Sequence, residues 1–148
     1  MADLPVDAGR RALLSVTDKT RLADVAAALR DHGYDLVASG GTGRHLPEAG
    51  LNGGDVSDLT GFPEIFGGRV KTLHPVIHGG ILGPGRGDFV ATRELGIAPI
   101  DVVVVNLYRF EGSVAAGRDP AAIVEHIDVG DRKSTRLNSS HRGIAYAV

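Results

Sequence analysis

The chain has 148 residues, of which 43% are apolar and 23% charged, with a formal net charge of -2 and no cysteine. That length supports one domain with its own core, and the composition excludes a disulfide framework, a thiolate zinc site and a broad surface for polyanions, so no nucleic-acid partner is expected. No apolar run approaches the ~20 residues of a membrane helix, and the opening MADLPVDAGRR has no signal-peptide hydrophobic stretch, so the reading is cytoplasmic with no membrane partner.

Ala12 to Val16 (ALLSV) reads as a short buried strand, after which Thr17 and Asp18 offer helix N-caps. From Thr20 to His32 the apolar residues Leu22, Val25, Ala26 and Leu29 follow the spacing of an amphipathic helix, and Gly33 ends it. Tyr34 to Ala38 is a second strand, followed by the turn Ser39-Gly40-Gly41-Thr42-Gly43 and a short helix to about Ala49. Gly67 to Leu82 (GGRVKTLHPVIHGGIL) has neither helical nor strand period and reads as an ordered loop. Asp88 to Leu95 is a helix closed by Gly96. Ile100 to Leu107 (IDVVVVNL) is the clearest strand, its consecutive valines implying burial on both faces. Ala121 to His126 is a last helix, started by Asp119-Pro120. Strands alternating with helices imply an α/β domain of three layers, a mainly parallel sheet flanked by helices.

Ligands in such folds sit beyond the carboxyl ends of the strands. Thr17-Asp18-Lys19, Ser39 to Thr42, and Asn106 to Tyr108 all fall there, and the 67–82 segment is placed to join them in one pocket. That segment holds Arg69, Lys71, His74 and His78, cations that packing does not explain. Only Lys19, Lys71 and Lys133 of the 16 basic residues are lysines. Lysine is a compact charge with a tunable pKa, which arginine cannot replace in proton transfer. SGGTG is equally a phosphate cradle, with small residues turning N–H groups to an anion, or a plain tight turn. Thr17-Asp18-Lys19 alone is a helix cap with a solvated lysine. Asn106 and Tyr108 are either structural hydrogen-bonders or site residues. His74 and His78 have the i, i+4 spacing of some metal pairs, but Pro75 and two glycines argue against one helix holding both, so no metal is expected. Asp128 is a turn residue or an anchor for a polar ligand group.

The texture changes near Gly130. Before that point the chain carries 12 Lys+Arg and 17 Asp+Glu, and after it four Lys+Arg and one Asp. DRKSTRLNSSH is similar, over eleven consecutive residues, to a translated sequencing adapter. The alternative is a natural polar tail. The expected organisation is a flexible N-terminus at 1–9, a domain at 10–130 and a non-native tail at 131–148.

SVTDKT, ASGGTGR, DVSDLTGFPEIFGGRVKTLHPVIHGGIL, VVVVNLY and HIDVG together resemble, in this order, the bifunctional purine biosynthesis family that joins IMP cyclohydrolase to AICAR formyltransferase. The resemblance covers about Arg10 to Gly130, the cyclohydrolase portion, and implies a methylglyoxal-synthase-like fold. It implies a cyclic amidine hydrolase that closes formylated aminoimidazole carboxamide ribotide to IMP without metal or redox cofactor. Full-length members are expected as homodimers. Lys71, Tyr108, Asp128 and Asn106 match catalytic positions. Thr17, Asp18, Lys19, Ser39, Gly40, Gly41, Thr42, Arg69, Val70, Thr72, Leu107 and Val129 match substrate-contacting ones. Two departures stand out. Arg109 replaces a proline, and after Gly130 the family continues into a helix with a further catalytic lysine, for which Lys133 is in the wrong context. Two other readings are a nucleotide-binding regulatory module of the same fold and a methylglyoxal synthase. Loss of IMP formation with binding retained in Lys71→Ala separates the enzyme from the module, and dihydroxyacetone phosphate tests the synthase.

Overall fold

Short runs of aliphatic and β-branched residues fill a pleated surface well, and here they assemble one sheet. The computed structural model describes residues 9–68, 70–106, 110–124 and 144–146. Strands β1 (Arg10–Ser15), β2 (Tyr34–Ala38), β3 (Gly54–Asp55), β4 (Val102–Val105) and β5 (Ile144–Tyr146) lie in the order β3-β2-β1-β4-β5. Every pairing is parallel. The register sets Leu13 of β1 beside Val37 on one side and Val103 on the other. β5 comes from the segment expected to be foreign. An apolar tripeptide pairing with the edge of a valine strand is a contact that any exposed edge invites.

Helices α1 (Leu22–Asp31), α2 (Gly40–His45), α3 (Val56–Thr60), α4 (Pro75–Leu82), α5 (Phe89–Thr92), α6 (Phe110–Ala115) and α7 (Pro120–Val124) connect and cover these strands. One face of the sheet buries Leu13, Val37, Val103 and Val105 against Val56, Ile77, Ile81 and Ile100. The other buries Ala12, Leu14, Leu36 and Ala38 against Leu22, Ala26 and Leu46. Burying each large side chain contributes roughly 1.5–3 kcal/mol, so the two clusters hold the layers together. The expected three-layer α/β architecture is therefore present. Val102 and Val104 are only half-buried, so the second face of β4 is covered less completely than its valine run implied.

Several local expectations change. The 67–82 segment is a loop only in its first half, because α4 occupies Pro75–Leu82. Pro75 stands at the first helical turn, where its missing N–H costs nothing, and His74 Nδ1 accepts from Val76 N at 3.2 Å as the N-cap. Gly79 and Gly80, which look like breakers, instead allow close packing. A Cβ at Gly80 would lie 2.6 Å from the Ala98 carbonyl oxygen, and Ile100 N donates to Gly80 O at 2.9 Å. Thr17 and Asp18 do not cap α1, which starts at Leu22 after Arg21 in a left-handed conformation (φ 64°). Asp18 Oδ1 instead accepts from Thr20 N at 2.9 Å and closes a separate turn. The expected 88–95 helix is a single α turn between two 3-10 turns. β3 and α3 carry no period that their brevity would reveal, yet Asp55 caps α3 by accepting from Ser57 N at 2.8 Å. Glu125 and His126, the expected end of the last helix, lie outside the described residues. Among the described residues no helix is long and apolar enough to cross a membrane.

At the opposite end of the sheet from the strand carboxyl termini, Arg11 is buried. Its N–H donates to Asp101 Oδ2, and Asp101 N donates to the Arg11 carbonyl, both at 2.9 Å. Burial pulls its pKa below the ordinary arginine value, while Asp35 and Asp101 oppose that shift.

Candidate functional site

The carboxyl ends of β1, β2 and β4 are tied together by short polar contacts. Past β1, Thr42 Oγ1 accepts from Val16 N and donates to Val16 O, each at 3.0 Å. Ser15 Oγ meets Ser39 Oγ at 3.0 Å. Past β4, Asn106 Oδ1 accepts from Thr17 N at 2.7 Å and Asp18 N at 3.2 Å, while its Nδ2 donates to Asp18 O at 2.8 Å. The Val16–Asp18 segment is thereby clamped between Thr42, past β2, and Asn106, past β4. Lys19 Nζ donates to Thr17 O at 3.3 Å.

Some expected site residues spend hydrogen-bonding groups on the protein itself. Thr42 is buried, with its hydroxyl committed to Val16 and its N–H to Ser39 O. Asn106 spends its side chain on the Thr17–Asp18 backbone. Ser39 N donates to Leu14 O at 3.2 Å. Gly40 and Gly41 differ: as the first two residues of α2 they present N–H groups that the helix cannot use internally.

Two lysines reach that turn from separate segments. A Cβ on Gly41 would stand 3.8 Å from Lys19 Nζ and 3.8 Å from Arg44 Nη2. A Cβ on Gly40, where φ is +44°, would stand 2.7 Å from Lys71 Nζ. Three cations thus surround one glycine pair whose N–H groups the helix leaves unused, an arrangement suited to a phosphate or carboxylate. Thr72 is buried and Val70 half-buried behind Lys71, and Leu73 N closes their turn on Val70 O at 3.0 Å. Arg69, Leu107, Tyr108, Asp128 and Val129 lie outside the described residues. His74 is a helix cap and His78 lies in α4, with its Nε2 buried and unpartnered among the described residues.

Sequence reasoning missed Arg44 and Glu64. Both lie in the blocks ASGGTGR and FPEIFGGRVK, but neither occupies a strand end or a position that spacing marks. Glu64 Oε2 would lie 3.4 Å from a Cβ on Gly40, which brings it to the same turn.

The sequence profile of the MGS-like domain family matches residues 21–131. The bifunctional purine biosynthesis protein PurH of Mesorhizobium japonicum is 54% identical over 142 residues, covering 94% of this chain and 26% of that protein. PurH of Jannaschia sp. is 50% identical over 135 residues, covering 90% of this chain and 25% of that protein. The chain therefore spans about a quarter of the length of these curated relatives. The crystal structure of ForH is similar with a TM-score of 0.73 at 35% identity, covering 88% of this chain and 68% of that one.

Proposed function

The chain belongs to the MGS-like domain family, and from that premise we propose that it is the IMP cyclohydrolase portion of a cytoplasmic purine biosynthesis protein. Its substrate is formylated aminoimidazole carboxamide ribotide. The observation that carries this reading is the convergence of Lys19 and Lys71 on Gly40-Gly41 from two segments. It provides an anion site of the kind a 5′-phosphate needs, with a second ammonium available for the reacting end.

The chemistry asks for positioning and charge stabilisation. The carboxamide nitrogen is a weak nucleophile and has to be held against the formyl carbon. As the C–N bond forms, charge grows on the formyl oxygen, which leaves as water with two protons taken from nitrogen. Lys71 stabilises that oxyanion. At two positions that match catalytic ones of the family, Tyr108 donates or relays a proton and Asp128 orients the carboxamide or its partners. Lys19 and the Gly40-Gly41 amides take the phosphate. Asn106 holds the Thr17–Lys19 loop that delivers Lys19. Full-length relatives are read as homodimers.

The segment after Gly130 lacks the expected further catalytic lysine, so this chain binds nucleotide but turns over poorly. Losing one general acid–base group costs on the order of 100-fold or more. Incubation with the formylated ribotide, followed by absorbance as IMP forms, is expected to give at most about one-hundredth of the rate of an intact relative. A rate close to that of the relative contradicts this part of the proposal.

Asn106→Ala tests the clamp. It removes three hydrogen bonds at an exposed loop, where each contributes about 1 kcal/mol or less. IMP affinity is expected to fall about tenfold by calorimetry, about 1.4 kcal/mol, with the fold retained by circular dichroism. Unchanged affinity means that the clamp does not position the site.

A further inference from the structure

Glu64 has no place in the chemistry above, yet its carboxylate shares a slot with the Lys71 ammonium. Two glycines with positive φ form the walls. A Cβ on Gly68 (φ +86°) would lie 2.6 Å from Glu64 Oε1 and 3.1 Å from Lys71 Nζ. A Cβ on Gly40 (φ +44°) would lie 2.7 Å from Lys71 Nζ and 3.4 Å from Glu64 Oε2. The opposite charges therefore stand within about 6 Å of each other, close enough to attract without forming a direct ion pair. Any side chain at either glycine would enter this slot. On the far side of the turn, Lys19 Nζ and Arg44 Nη2 approach Gly41 instead, so the described cations fall into two groups and the Glu64 carboxylate lies with Lys71.

We infer that Glu64 is a positioning residue that holds Lys71 for the base end of the ligand, leaving the phosphate to Lys19, Arg44 and the Gly40-Gly41 amides. A phosphate dianion and a carboxylate repel, so a lysine beside Glu64 is poorly placed to serve the phosphate alone. A neutral amide or hydroxyl is different: it accepts from the ammonium and donates to the carboxylate together. The slot thus selects a ligand whose non-phosphate end carries such a group. This inference rests on the nucleotide reading above and extends it to a residue that the reading does not use.

Glu64→Gln keeps the side-chain size and removes the charge. The chain has three lysines, so reductive methylation with 13C-formaldehyde gives few signals, and Lys71→Arg identifies the Lys71 resonance. In Glu64→Gln without ligand, the Lys71 resonance is expected to move while that of Lys19 stays in place. Calorimetry with inosine is expected to show at least a fivefold loss, with the ratio of IMP to inosine affinity kept within twofold. An unmoved Lys71 resonance overturns the inference, as does a collapsed ratio with inosine affinity intact, which would put Glu64 on the phosphate side. If the parent chain binds neither compound, the nucleotide reading falls, while the Lys71 resonance still decides whether Glu64 holds the lysine.

Discussion

Gly80→Ala is expected to destabilise the domain by about 3 kcal/mol, at the upper end of overpacking costs, and to lower its thermal midpoint by roughly 10 °C. The added Cβ would stand 2.6 Å from the Ala98 carbonyl oxygen and 3.0 Å from Ile100 Cγ1. The first obstacle is backbone, which cannot rotate aside. Moving it strains the 2.9 Å hydrogen bond from Ile100 N to Gly80 O and pushes α4 away from the cluster that buries Ile77, Ile81 and Ile100. Gly87→Ala is the control, because a Cβ there meets nothing within 4 Å. Its effect is expected to stay within about 0.5 kcal/mol. Calorimetric melting of both variants checks the pair, and equal midpoints would mean that α4 does not pack as described.

Lys71→Ala is expected to lower IMP affinity by roughly 10- to 150-fold, the span set by about 1.5–3 kcal/mol for a hydrogen bond to a charged group. The fold is expected to survive, because Lys71 is half-buried on a loop and belongs to neither core cluster. The loss is chemical: the slot between Gly40 and Gly68 is left with the Glu64 carboxylate facing the ligand. Titration of the purified variant with IMP, beside its melting curve, separates loss of binding from loss of fold. Wild-type affinity in a folded variant would mean that Lys71 does not hold the bound nucleotide and would leave it a role in the chemical step alone.

The sheet and α1 were legible because their signals are local. ALLSV, YDLVA and the valine run are short apolar strings, and Leu22, Val25, Ala26 and Leu29 share one helical face. α4 was hidden by the same residues that build it. Pro75 and the pair Gly79-Gly80 read as breakers, yet one starts the helix and the others let it touch the 97–100 segment. β3 has two residues, too few for any period.

For the site, strand ends and family blocks pointed to Lys19, Lys71 and the SGGT turn. They did not show which of these side chains the protein itself already engages. Asn106 and Thr42 look like ligand contacts in sequence, and only the fold reveals their hydrogen bonds to the Val16–Asp18 backbone. Glu64 could not be found by spacing, since its approach to Lys71 depends on two glycines 28 residues apart in the chain adopting positive φ.

The most direct test of the proposed nucleotide site is a calorimetric titration of this chain with IMP and with inosine, which differ by the phosphate alone. The account predicts that IMP binds at least about tenfold more tightly, the effect of one or two charge-assisted contacts, and that Lys19→Ala narrows this difference. Equal affinities for the two compounds, or no binding of IMP, would contradict it.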